Sequence, residues 1–227
     1  GCNNFLKELP MFDKAKYKEK VYVIDHPLAQ HKLSLMRDKN TSYQDFRRHL
    51  DELSSLIVFA VTQRFPTKDV EIETPICKGQ FPVLDVEKIL IVPILRAGLG
   101  MENSFHALIP ESKVGHIGMY RDEESFEPKP YMCKLPDDAS DSKCILLDPM
   151  LATGVSSAEA IRELRKEGVR GIIHFASILA TEEGIDHVLA SDDQVIIYTV
   201  SVDEGLTKNK YIVPGIGDCG DRVFGTK

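Results

Sequence analysis

Lys143 to Ser157 reads as an apolar strand that runs through a loop of small residues into a helix, and no other segment constrains the fold as tightly. In Asp148-Pro-Met-Leu-Ala-Thr-Gly154 the strand should stop at Asp148, because Pro149 pushes its predecessor towards extended geometry. That leaves a carboxylate at the C-terminal end of a strand, and ligands of open α/β sheets bind beyond those ends. Ala152, Thr153, Gly154, Ser156 and Ser157 follow, at the start of a helix whose unpaired N–H groups and dipole favour a phosphate. Val155, Ala158, Ile161 and Leu164 mark one face of that helix, and Gly168 lies past its end. A tight turn between strand and helix uses the same residue types, so by itself the segment leaves a structural and a functional reading open.

The flanking sequence repeats the theme. Phe46, Leu50, Leu53, Ile57, Ala60 and Val61 recur at three- and four-residue spacing within 42–64, which predicts a long helix ended by Pro66. Val70, Ile72 and Thr74 alternate with charged residues, as in a half-solvated strand. Ile89 to Leu95 is apolar on both faces, which suits a central parallel strand. Further strands are expected at 114–120, 143–147, 171–179 and 194–200, with helices near 99–109, 155–167 and 182–190. The fold class expected is therefore α/β, one domain with a largely parallel central sheet flanked by helices. Residues 121–142, charged and rich in proline, read as a projecting β-arm or flap.

Composition narrows the function. The chain has 227 residues, 43% apolar and 28% charged, as expected of a soluble globular protein. No apolar run approaches the roughly 20 residues that cross a bilayer, and Gly1 to Pro10 lacks the basic and apolar regions of a signal peptide. Five scattered cysteines without a C-x-x-C pair indicate neither a disulfide framework nor a zinc site, so a cytoplasmic setting is expected. A net charge of −7 disfavours a nucleic-acid partner. Lys14, Lys16, Lys18 and Lys20 read as a solvated, mobile segment. The seven histidines show no metal-ligand spacing, and His116 and His174 fall within strands as satisfied core residues.

Four segments together carry a family resemblance. The run Asp148 to Gly154, Ile94-Leu-Arg-Ala-Gly-Leu-Gly100, Gly118-Met-Tyr-Arg-Asp122, and Tyr211-Ile-Val-Pro-Gly-Ile-Gly-Asp-Cys-Gly-Asp-Arg222 resemble the uracil phosphoribosyltransferases in order and spacing. The resemblance covers nearly all of the chain after Pro27. It implies the type I phosphoribosyltransferase fold and a reaction of uracil with 5-phosphoribosyl-1-pyrophosphate (PRPP) to give UMP and pyrophosphate. Mg²⁺ is the implied cofactor. A homodimer or homotetramer is the implied assembly, and in some members GTP activates.

By the same resemblance the loop 148–156 binds PRPP through Asp148, Pro149, Met150, Leu151, Ala152, Thr153, Gly154, Val155 and Ser156. Its N–H groups and hydroxyls would cradle the 5′-phosphate, while Asp148 accepts hydrogen bonds from the ribose hydroxyls. Arg96 and Arg121 would hold pyrophosphate with planar guanidinium groups as the bond to C1′ breaks. The alternative for Arg96 is a buried salt bridge, and for Arg121 a surface position. Arg121 stands at the root of the flap, which suggests closure over PRPP. Ile212, Gly217 and Cys219 would read the uracil edge through backbone groups in a hood spanning about 201–227. Asp218 would lie near PRPP and Mg²⁺, through water, and is the candidate for handling the uracil N1 proton.

Three further points shape these expectations. Gly215 to Gly220 matches G-x-G-x-x-G but lies too near the chain end for a dinucleotide-binding helix and second strand. Val155 occupies a position where the resemblance leads one to expect Gly, and a β-branched residue resists positive φ, so weakened or reshaped PRPP binding is the expectation there. The competing functions are a phosphoribosyltransferase for another base, which would call for an aromatic and a lysine in the hood, and a nucleotide-sensing RNA-binding regulator, which would call for a basic face.

Overall fold

A computed structural model describes residues 13–122 and 127–226. In chain order it contains α1 (Lys14–Tyr17), β1 (Val21–Val23), α2 (Pro27–Arg37), α3 (Tyr43–Thr62), β2 (Thr67–Glu73), β3 (Lys78–Leu84), β4 (Ile89–Leu95) and α4 (Leu99–Leu108). Next come β5 (Lys113–Val114), β6 (His116–Arg121), β7 (Pro128–Lys134), β8 (Lys143–Leu147), β9 (Met150–Leu151) and α5 (Val155–Lys166). The remainder is β10 (Ile173–Ala176), β11 (Leu179–Thr181), α6 (Glu182–Ser191), β12 (Val195–Thr199), β13 (Ser201–Asp203), β14 (Gly205–Leu206), β15 (Ile212–Val213) and α7 (Cys219–Phe224).

The main sheet runs β1-β12-β10-β8-β4-β6-β7, with β5 also on β4. Every pairing is parallel except β6 with β7 at one edge. Strands β4 and β8 are buried on both faces, and their side chains divide by the two-residue period of a pleated strand. Ile89, Ile91, Ile145 and Leu147 pack with α2, α3 and α4 through Leu33, Phe46, Leu50 and Phe105. Leu90, Val92, Cys144 and Leu146 pack with α5 and α6 through Ile161, Leu164, Ile185 and Val188. Helix α3 has the buried face that its spacing predicts, and the Ser42 hydroxyl caps it by accepting the Asp45 N–H at 3.1 Å.

Three neighbouring strands, β8, β10 and β12, each break and resume. After Leu147, Ala176 and Thr199 the chain steps sideways and forms β9, β11 and β13, a small parallel sheet in the order β13-β11-β9. The expected strand 171–179 is thus two strands in two sheets, divided at Ser177 and Ile178. These breaks lie at the C-terminal ends of the main strands, and helices α5 and α6 begin just beyond two of them.

Several expectations need correcting. Residues 16–20 are not a free segment: Lys16 pairs with Asp186 at 2.8 Å, and the buried Tyr17 hydroxyl donates to Asp186 at 2.8 Å. Lys20 also donates to the Asp193 carbonyl. Residues 128–134 are an edge strand of the main sheet, whereas a separate hairpin of β2 and β3, mostly exposed, was only half anticipated as one strand. His116 is not a core residue, since its side chain is 38% exposed beside Glu102. His174 is buried, with Nδ1 3.2 Å from the Tyr198 hydroxyl. Residues 1–12, part of the N-terminal extension expected over about 1–26, and the flap residues 123–126 lie outside the described residues.

Candidate active site

Asp148 follows β8 directly, where that strand gives way to β9. Its N–H donates to the Ala176 carbonyl at 3.1 Å, which ties the turn to the neighbouring strand. One carboxylate oxygen accepts the Met150 N–H at 3.2 Å. That single donor does not replace the water lost on burial, so desolvation pushes the carboxyl up to about 7. Asp148 is therefore an acid poised near neutrality at the C-terminal end of a central strand.

The loop beyond it is braced from α6. The Thr181 hydroxyl donates to the Ala152 carbonyl at 2.6 Å and accepts the Gly184 N–H at 3.0 Å, so one side chain caps α6 and holds the loop. Gly154 adopts φ +77°, and a Cβ there would come within 2.6 Å of the Gly184 carbonyl. Only glycine fits that left-handed, crowded position. Helix α5 starts at the next residue, with the exposed Val155 and half-buried Ser156 in its first turn. The positive φ falls on Gly154 and not on Val155, so the β-branched residue meets no conformational conflict. The Thr153 hydroxyl accepts the Val155 N–H at 3.4 Å. Pro149 and Leu151 are buried, and their side chains belong to the packing beneath the loop.

The C-terminal residues close over this floor. A cavity of about 200 Å³ brings Asp148, Met150 and Ala152 together with Ile212, Gly217, Asp218 and Cys219. Asp218 caps α7 by accepting the Asp221 N–H at 2.9 Å and is exposed. Ile212 is buried and pairs with Leu206. Burial pushes the Cys219 thiol well up, helped by the nearby charges of Asp148 and Asp218, so it is a protonated filler beside the cavity and not a nucleophile. A short helix, α7, begins within the Gly215–Gly220 pattern at Cys219, and no strand follows it among the described residues.

Arg96 lies just after β4, with its side chain 59% exposed and a guanidinium nitrogen 3.9 Å from Asp221. The same group lies over the Phe224 ring at 5.5 Å. That arrangement excludes a buried salt bridge and leaves the guanidinium able to turn towards a ligand, beside Ala97 of the cavity wall. Arg121 ends β6, opposite Pro128, and its side chain lies outside the described residues. The Thr181 brace was missed by sequence reasoning, although Thr181 before Glu182-Glu183-Gly184 carries the signal of a helix cap. A larger apolar cavity of about 400 Å³, between β1 and α3, contains none of the expected site residues.

Among the described residues no cluster of three or more His, Cys, Asp or Glu could hold a metal ion. No helix of the described residues is long and apolar enough to cross a membrane.

The family profile for uracil phosphoribosyltransferase matches residues 23–226. A uracil phosphoribosyltransferase of Clostridium tetani is 52% identical over 208 residues, covering 92% of this chain and 99% of that protein. One from Bacillus cereus is 50% identical over the same shares. Among solved structures, the AQ2163 protein of Aquifex aeolicus superposes with a TM-score of 0.84 at 34% identity, over 91% of this chain and 99% of that one. The adenine phosphoribosyltransferase of Trypanosoma brucei, at 12% identity and a TM-score of 0.56 over 85% and 87%, shares the fold.

Proposed function

The chain belongs to the uracil phosphoribosyltransferase family, and from that premise we propose how its residues divide the work of the reaction. The enzyme is a pentosyltransferase that moves the 5-phosphoribosyl group of PRPP to N1 of uracil and releases pyrophosphate. The observation that carries the assignment of roles is the shared cavity of Asp148 and the Ile212–Cys219 segment, set beside the start of α5.

The N–H groups and hydroxyls of Ala152 to Ser156 take the 5′-phosphate, because a dianion there satisfies helix donors that have no partner within the helix. Asp148 accepts the ribose hydroxyls as a carboxylate. Near neutral pH it exists partly as the neutral acid, and two donated hydroxyl hydrogen bonds draw it towards the ionised form. Its charge then lies beside the ribose as positive charge develops at C1′. Arg96 and Arg121 take the pyrophosphate as it leaves. Backbone groups of Ile212, Gly217 and Cys219 read the uracil edge, and the exposed Asp218 receives the N1 proton. Arg121 and the arm close over PRPP and keep water from C1′.

Asp218, an exposed carboxylate on the cavity wall, would hold a Mg²⁺ ion through water. When bound, the ion supplies charge neutralisation of the pyrophosphate. The wider reading is one phosphoribosyltransferase domain in the cytoplasm, assembled as a homodimer or homotetramer and open to activation by GTP.

The experiment offers PRPP and Mg²⁺ with uracil, cytosine, adenine and hypoxanthine in parallel, and follows nucleotide and pyrophosphate formation. UMP alone is the expected product. A purine nucleotide formed faster than UMP would transfer the reading to another base.

A further inference from the structure

One buried ion pair grips both polar groups of Gly215, the residue that opens the proposed base-reading segment. Arg37, the last residue of α2, donates from both terminal nitrogens to the two oxygens of Asp203, each at 2.7 Å. The same guanidinium donates to the Gly215 carbonyl at 2.9 Å, and Asp203 accepts the Gly215 N–H at 3.0 Å. The Ser201 hydroxyl donates to the remaining Asp203 site at 2.8 Å. Asp203 is only 2% exposed and Arg37 25%. Gly215 sits at φ +63°, and a Cβ there would fall 2.1 Å from the Ile212 carbonyl, so no other residue could take its place.

A second arginine holds the next residue. Arg222 of α7 donates to the Ile216 carbonyl at 2.9 Å, to the Met36 carbonyl at 2.5 Å and to the Asp38 carbonyl at 2.7 Å. The C-terminal end of α2 therefore grips Gly215 and Ile216 from both sides, immediately before Gly217 to Cys219. A buried ion pair adds little net stability compared with apolar packing. What this one adds is direction, because five charge-assisted hydrogen bonds converge on one peptide and one carboxylate. A segment that reads a flat base through backbone groups has no rotamer to select, so its discrimination depends on where those peptides point.

We propose that Arg37 and Asp203 are a positioning pair that orients the Gly215–Cys219 backbone for recognition of the pyrimidine edge. The proposal rests on the reading that this segment takes uracil. Neither residue is catalytic: both act through the Gly215 peptide. Among the described residues no hydrogen bond or ion pair joins Arg37 to the phosphate loop, whose brace comes instead from Thr181. Disturbing the pair should thus separate the two substrates.

Arg37→Lys is the test, because an ammonium keeps its attraction to Asp203 but cannot fork across both its oxygens while also holding Gly215. Steady-state UMP formation should show KM for uracil raised about tenfold or more and KM for PRPP within about twofold of wild type, with the melting temperature little changed. A folded variant in which both KM values rise together, or in which neither moves, overturns the proposal. Should Arg37→Lys fail to fold, Arg222→Lys carries the same expectation through Ile216, and failure of both to fold would mark the network as purely structural and overturn the proposal too. Gly217→Ala distinguishes the proposal from the reading beneath it. If that change raises KM for uracil while Arg37→Lys does not, only the positioning role falls; if Gly217→Ala leaves KM for uracil unchanged, the base-reading assignment fails and the proposal falls with it.

Discussion

Asp148, at the end of a central strand, and Asp218, at the cap of the last helix, line the same cavity of about 200 Å³. One carboxyl is desolvated and the other is exposed, so the two acids of the site meet solvent differently. Environments that separate two carboxyl groups in this way commonly separate their roles.

The first prediction follows from Asp148. Its carboxyl is raised from 3.8 to about 7 by burial, so between those pH values the folded chain holds a proton that the unfolded chain has released. The stability from that proton is complete below pH 4 and is lost as pH rises through 7. Because the side chain is only half-buried, the loss should amount to about 1–2 kcal/mol, less than the full shift implies. Urea denaturation between pH 5 and 8 should show wild type losing stability relative to Asp148→Asn as pH rises. The asparagine variant should be the more stable of the two at pH 8.

Gly154→Ala should damage the phosphate loop selectively. The new Cβ would need a left-handed backbone and would press on the Gly184 carbonyl at 2.6 Å. A loss of about 1–3 kcal/mol in stability is expected. KM for PRPP should rise at least tenfold, by order of magnitude, while KM for uracil rises far less.

Val155→Gly should leave PRPP binding nearly unchanged. Val155 begins α5 with an exposed side chain, and the positive φ belongs to its neighbour. A PRPP titration by calorimetry should place the two proteins within about twofold in Kd, with the glycine variant less stable by about 0.5 kcal/mol from backbone entropy. A Kd lowered tenfold would restore the view that the valine narrows the loop.

Much of the fold was legible in the sequence because its signals are local. Ile89 to Leu95 is apolar on both faces, and that pattern has few explanations besides a central strand. Phe46 to Val61 repeats at helical spacing, and those residues are buried as expected, with Ala60 half-buried. The three-stranded sheet of β9, β11 and β13 left no such signal, since strands of two or three residues are too short for a period to show. The same holds for β1. Helix α2 was missed because His26 is an unusual cap, although it accepts the Leu28 N–H at 3.2 Å and Pro27 opens the helix.

The site was legible where motifs hold neighbouring residues and illegible where distant ones meet. Asp148, Thr153 and Gly154 follow one another along a strand-to-helix turn. Thr181 bracing Ala152 and Arg37 gripping Gly215 join segments that nothing in the linear pattern connects. Burial makes the Cys219 thiol a protonated filler beside the cavity, while its backbone is what the resemblance assigns to the base.

The most direct measurement is UMP formation from PRPP, uracil and Mg²⁺ by wild type and Asp148→Asn side by side at pH 8. Wild type should form UMP and pyrophosphate in equal amounts, and the variant, which cannot present a carboxylate to the ribose, should lose about 10²–10³-fold in kcat/KM. No UMP from wild type would contradict the function, and an undiminished rate from Asp148→Asn would contradict the role given to the residue on which the site is built.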